Sequence, residues 1–254
     1  MKKERDLTSG NITSGLWAFA VPLMLGNVIQ QFYNLADTWI VGRYIGNIGL
    51  AAVGSSYTLM TFLTYIIIGL CLGNSTFISM EYGKKNIEKI RNGIYISFVM
   101  ILAVTVGIII IFYGFLDEII KMLQVPKDTV ADMKVYLVYG FIGFFATFIY
   151  NYISNVLRAI GNSVIPLIFL GVSVVLNVFL DILFVAVLKM GIMGAAVATV
   201  ISQYISALGT FGYYFFQYPQ LKVRKSDIKW NKSNFKSILS LSGFTCIQQS
   251  VMNF

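Results

Sequence analysis

Apolar residues dominate this chain in long runs parted by short polar breaks. A helix crossing a bilayer needs about 20 predominantly apolar residues. Six complete runs meet that length: residues 16–41, 50–80, 94–115, 135–157, 164–188 and 193–216. A seventh starts near Ile238 and reaches only Phe254, short of a full crossing. Nothing polar closes it, so the chain reads as a truncated copy, or as the amino-terminal piece of something about twice as long. Between the third and fourth runs, Leu116, Ile119, Ile120 and Leu123 share one helical face. They predict a short amphipathic helix at the outer interface, ended by Pro126. The expected fold is all-α, a polytopic membrane helix bundle. Residues 1–217 form a six-helix lobe, 218–234 a basic linker on the cytoplasmic side, and 235–254 an incomplete seventh helix.

Polar positions inside these runs are ordered. In the first, Asn27, Gln30, Asn34 and Asp37 are spaced 3, 4 and 3, which puts them on one helical face. Ser173, Asn177 and Asp181 repeat at four in the fifth run, and Thr199, Gln203, Ser206 and Thr210 are spaced 4, 3 and 4 in the sixth. In the fourth, Asn151, Asn155 and Arg158 line up near the cytoplasmic end. Single Ser, Thr or Asn residues serve as interhelical glue, worth about 0.6 kcal/mol per contact. Two stripes that each carry a carboxylate ask for more. An ionised side chain near the centre of a membrane helix costs about 2.5–3.5 kcal/mol on insertion scales and faces the protein interior or a wet cavity. The stripes therefore predict a shared, hydrated interior lined by Asn27, Gln30, Asn34, Asn151, Asn155 and Gln203. Pro22 interrupts the first run and predicts a kink. The glycine pairs Gly69/Gly73, Gly140/Gly143 and Gly191/Gly194 predict close helix approach.

Composition agrees with the pattern. Of 254 residues 57% are hydrophobic and 12% charged, about half the charged share of a soluble domain. The net charge of +8 suggests nucleic acid only until the cations are placed. Fourteen of the nineteen Lys and Arg fall in the amino-terminal segment and in alternate loops, and five on the other side. That bias puts the amino terminus in the cytoplasm. Ala18-Phe19-Ala20 imitates a signal-peptidase site, but it comes before any apolar core is complete, so an uncleaved first span is expected. The chain has no His, which removes His-based triads, metal sites and proton relays. Cys71 and Cys246 lie in apolar runs and read as small buried hydrophobes rather than a disulfide or zinc site. Gly42–Gly46 is no phosphate loop, because no strand precedes it. No enzyme chemistry and no cofactor are expected.

Hard oxygen ligands hold hard cations. Asp37 and Asp181, with an Asn177 amide oxygen and a Thr199 hydroxyl, could bind a proton or a small cation such as Na⁺. Two carboxylates close together would titrate as one coupled pair. This is the chemistry of an ion-coupled transporter.

The chain also resembles the multidrug and toxic compound extrusion (MATE) family, in its prokaryotic DinF-like branch. The residues that carry the resemblance begin with Ile29-Gln30-Gln31-Phe32-Tyr33-Asn34-Leu35-Ala36-Asp37-Thr38, Val41-Gly42-Arg43 and Leu50-Ala51-Ala52-Val53-Gly54. Tyr82-Gly83-Lys84-Lys85 and Arg158-Ala159-Ile160-Gly161-Asn162 with Pro166 follow. Leu176-Asn177-Val178-Phe179-Leu180-Asp181 and the stretch from Gly191 to Thr199 complete the set. The resemblance implies a twelve-helix fold of two six-helix lobes related by a pseudo-twofold, of which this chain holds the first. It implies export of small organic cations or amphipathic compounds through the plasma membrane, by H⁺ or Na⁺ antiport. It also implies a cation site at Asp37, Asn177, Asp181 and Thr199, with Gln30 and Asn34 beside the central cavity. The sequence departs from the family after Phe254, where the second lobe is absent, and at Gly243-Phe244, where a Gly-x-Pro is common. A related lipid-linked oligosaccharide flippase would favour a basic cavity, whereas these spans hold acids. A non-transporting membrane fragment is the third reading.

Overall fold

A computed structural model describes residues 12–252. Eight α-helices follow one another: α1 (Ile12–Tyr44), α2 (Asn47–Gly83), α3 (Ile87–Gly114), the short α4 (Leu116–Met122), α5 (Val130–Ala159), α6 (Val164–Asp181), α7 (Gly191–Gln217) and α8 (Lys232–Met252). No strand occurs among the described residues. Among them, α2, α3, α5, the α6 span through Val187 and α7 are long and apolar enough to cross a membrane. The sixth expected complete span is α1, which runs unbroken through Pro22 for 33 residues. Lys2, Lys3 and Arg5, used above for orientation, lie outside the described residues.

The helices overrun the apolar runs at most ends, because backbone hydrogen bonding continues after the hydrocarbon stops. α3 starts at Ile87 rather than near Ile94. Asn86 caps it by accepting from the Lys89 N–H at 3.1 Å, and Glu88 in the first turn suits the helix dipole. The amphipathic helix ends at Met122, not at Pro126; Gln124 at φ 51° turns the chain away first. Leu116 and Ile120 are buried, while Leu123 at the edge of the expected face is exposed. The fifth span departs most from expectation. Directly after Asp181 the α-helix gives way to one π-helical stretch, Ile182–Val187.

The bundle is inside-out relative to a soluble protein. On α6, Asn177 and Asp181 are buried, whereas Val175 and Phe179 are 71% and 63% exposed. That is the pattern a lipid solvent imposes, with acyl chains taking the apolar side chains and the polar ones turned inward. α2 packs along α5 and α8, α5 along α7, α7 along α6, and α6 along α1. Phe98, Phe148 and Tyr152 knit α3 to α5 with ring centroids 5.3 to 5.9 Å apart. Backbone carbonyls one turn earlier accept from many buried hydroxyls, as Gly93 does from Ser97 at 2.7 Å. Cys71 is buried, and neither cysteine forms a disulfide among the described residues.

The basic segment between α7 and α8 is pinned down rather than loose. Asp227 is buried and accepts from the Arg91 guanidinium and the Arg224 N–H, both at 2.8 Å. The Asn92 amide donates to the carbonyls of Asp227 and Lys229, at 2.9 and 2.8 Å, and accepts from Asn234 at 2.7 Å. Burial pushes the Asp227 carboxyl up, but the Arg224 N–H and Arg91 outweigh it and hold it below the usual carboxylate range. The stabilisation is therefore present above the unfolded pKa of about 3.9 and is lost as pH falls through the lower folded value. Hydrogen exchange at 218–231, corrected for its intrinsic pH dependence, should stay slow from neutral pH to about 5 and quicken only under strong acid. Quickening already between pH 7 and 5 would contradict this.

Candidate functional site

The interior polar site forms where α1, α6 and α7 meet and α5 closes one side. It starts from a spacing: Asn177 and Asp181 stand one turn apart on α6, so both face inward. Asp37 comes from the second half of α1. Its side chain is buried, as are those of Asn177 and Asp181. The Asp37 and Asp181 carboxyl groups lie close enough for each to act on the other's ionisation. Two bare carboxylates would repel at that range, so their approach needs a proton or a cation between them.

With the Asn177 amide in the orientation its neighbours require, its nitrogen donates to Asp181 Oδ2 at 2.9 Å. Its oxygen accepts from the Thr199 N–H at 3.2 Å, which ties α6 to α7. The Thr199 hydroxyl lies 3.4 Å from that of Tyr33. Asp37 Oδ1 and Asp181 Oδ1 are both buried without a hydrogen-bond partner. Buried carboxylate oxygens seldom stay unpaired in native structures. Here they are the free acceptors of a set of oxygens drawn from three helices.

The π-helical stretch begins one residue after Asp181 and packs on α7 and α1. Such single-turn bulges recur at functional sites, because they re-aim side chains within a helix. No pattern of residue types announced it. Two tyrosines also join the site. Tyr33 sits one turn before Asp37, and the same spacing rule that linked Asn177 to Asp181 could have found it. Tyr136 on α5 approaches the Thr199 hydroxyl and lies near Asp37, Tyr33 and Asp181. Only the packing of α5 brings it there.

The structure thus gathers Asp37, Asn177, Asp181 and Thr199 into one place. The six expected cavity residues are distributed differently. Asn34 and Gln30 are half-buried on the face of α1 that holds Asp37, and Asn34 donates to the Tyr57 hydroxyl at 2.9 Å. Asn27, farther along that face, is exposed. Asn151 and Asn155 turn their amide nitrogens to backbone carbonyls of their own helix, Thr147 and Asn151, at 2.8 and 2.9 Å. Asn155 is buried, and its carbonyl accepts from Ser75 of α2. The Gln203 amide oxygen fills the space that a side chain at Gly143 would need, in the α5–α7 seam. No group of three or more Cys, Asp or Glu suited to a metal occurs among the described residues.

Comparison with known proteins adds relatives to this geometry. The chain is 34% identical over 206 residues to "Probable multidrug resistance protein YpnP" of Bacillus subtilis (strain 168), covering 81% of this chain and 46% of that one. It is 27% identical over 248 residues to "Probable multidrug resistance protein NorM" of Thermotoga maritima, covering 95% of this chain and 53% of that one. The chain spans about half the length of the curated relatives it matches. Its fold superposes with a TM-score of 0.90 and 25% identity on a multidrug resistance MATE family transporter in an outward-facing conformation, covering all of this chain and 56% of the other. A family model described as MatE matches residues 22–183, a stretch that begins at the α1 proline and ends just past the second buried carboxylate. On that match, which takes in well over half of its length, this chain belongs to the MatE family.

Proposed function

We propose that this chain is the ion-binding lobe of a secondary exporter, which moves small organic cations or amphipathic compounds out of the cell in exchange for H⁺ or Na⁺. The observation that carries the reading is the meeting of two buried carboxyl groups from α1 and α6, each with an oxygen left unpaired. A proton or Na⁺ shared between them halves the charge of the pair and draws α1 onto α6. Its departure leaves charges that repel, so the two helices gain a reason to part. The ion therefore has different affinities for two arrangements of the lobe, which is what coupling requires. The Thr199 hydroxyl adds an oxygen beside the carboxyls, and the Asn177 amide holds Asp181 in place; hard oxygen donors suit a hard monovalent cation. The basic bias of alternate loops places the amino terminus in the cytoplasm, and a second lobe would supply the rest of the cavity wall.

Multidrug relatives supply the cargo class. The test is ethidium accumulation in cells stripped of their own multidrug exporters. Cells expressing the chain should accumulate less dye than cells expressing Asp181→Asn. Equal accumulation in the two, at equal membrane abundance, overturns the reading of the chain as a working exporter and leaves a non-transporting fragment.

A further inference from the structure

Another carboxylate is buried where the exporter reading does not use it. Glu81, near the end of α2, is only 5% exposed. Its Oε1 accepts from Lys84 at 2.8 Å, but Oε2 is buried with no partner. Leaving such an acceptor dry and unpaired is costly, so a donor belongs there. Glu81 lines an open cleft of about 470 Å³ between the end of α2 and the start of α8. Across the cleft stand Lys236, Ser237 and Ser240 of α8, all exposed. Lys236 forms no ion pair among the described residues, whose salt bridges join Lys84 to Glu81, Arg91 to Asp227 and Lys134 to Asp117. The remaining wall is apolar, made by Phe77, Met80 and Leu241, with Met80 54% exposed.

The chemistry is ordered across the cleft. Lys84 already balances Glu81, so Lys236 is left as one free cation beside two hydroxyls, the recognition set for one phosphate diester. Deeper lies a carboxylate oxygen that needs an N–H or O–H, and alongside runs an apolar wall. The apolar run of α2 stops at Met80, which puts the cleft at headgroup depth. We propose that this cleft binds a phospholipid whose headgroup carries a hydrogen-bond donor beyond its phosphate. The phosphate meets Lys236, Ser237 and Ser240, the headgroup hydroxyl or ammonium donates to Glu81 Oε2, and the acyl chains run along Met80 and Leu241. Such a lipid would bridge α2 and α8. The inference stands apart from the exporter reading, because neither Asp37 nor Asp181 takes part.

The test is thermal stabilisation of the detergent-purified chain, titrated with phosphatidylglycerol, phosphatidylethanolamine, phosphatidylcholine or glycerol 3-phosphate. Phosphatidylglycerol and phosphatidylethanolamine should act at concentrations about tenfold below phosphatidylcholine, whose quaternary ammonium has no donor. Lys236→Gln, at an exposed position, should weaken all the lipids alike, and Glu81→Gln should abolish the preference over phosphatidylcholine. Equal action of phosphatidylcholine on the wild-type chain, or a preference that survives in Glu81→Gln, overturns the proposal. Equal action of glycerol 3-phosphate overturns the lipid and leaves a phosphate site.

Discussion

Asp37→Asn and Asp181→Asn are expected each to abolish the exchange of a proton for Na⁺ in the purified chain, with the fold retained. Asparagine keeps the shape of aspartate but cannot carry the negative charge that holds a cation. Truncating one partner of a buried charge pair costs about 2–5 kcal/mol in binding, and each 1.4 kcal/mol is about tenfold. Cation affinity should therefore fall by about 30- to 4,000-fold. The measurement is proton release into weakly buffered detergent solution on adding NaCl, with choline chloride as the control. Wild type should release protons if Na⁺ displaces the shared one, and release none if the coupling ion is H⁺ alone. In that second case the pair is titrated directly by infrared spectroscopy of its carboxyl bands, and either variant should remove the shared-proton band. Variants that behave like wild type in both measurements would dismantle the site.

Gly73→Val is expected to loosen α8 from α2. A Cβ at Gly73 would press on the backbone of Leu241 and Ser242, and one at Gly69 on the backbone of Thr245 and Cys246. Backbone cannot rotate away as a side chain can, so the helices must separate. The hydroxyls that tie them, Ser242 to the Leu70 carbonyl at 3.0 Å and Thr245 to the Gly69 carbonyl at 2.6 Å, would be strained with them. Overpacking of this kind costs about 1–3 kcal/mol. Gly107→Val is the matched control, because nothing lies within 4 Å of its Cβ position. There the gain in helix propensity over glycine should leave stability unchanged or slightly higher. A melting temperature that falls for Gly73→Val and holds for Gly107→Val supports the packing. Equal effects would show that the close approach carries no weight.

Much of the architecture was legible because a bilayer allows so few solutions. Long apolar runs must become helices, since no other open segment satisfies its backbone in lipid. Asp37 and Asp181 stood out for the same reason, as the two acids well inside such runs. Helix ends were less legible. α3 and α8 begin about six residues before their apolar runs, because capping and first-turn polar groups extend a helix where hydropathy falls silent. Glu81 stands just past the apolar run 50–80, where pattern alone predicts an exposed acid at a loop edge, yet the structure buries it beside α8. Asp227 read as one more residue of a polar linker, yet it anchors that linker to Arg91 of α3. Both depend on a helix distant in the chain, which local pattern cannot report.

By itself the sequence determined the spans, the faces they turn inward and the two carboxylates that must leave the lipid. These follow from transfer free energies and helical periodicity, which act over a few turns. Tertiary structure alone decided that Asp37 meets Asp181, that Tyr136 joins them, and that the helix changes pitch just after Asp181. Those facts depend on which helices become neighbours and at what rotation. That choice is made by close packing of small residues such as Gly69, Gly73 and Gly143 against partners far along the chain.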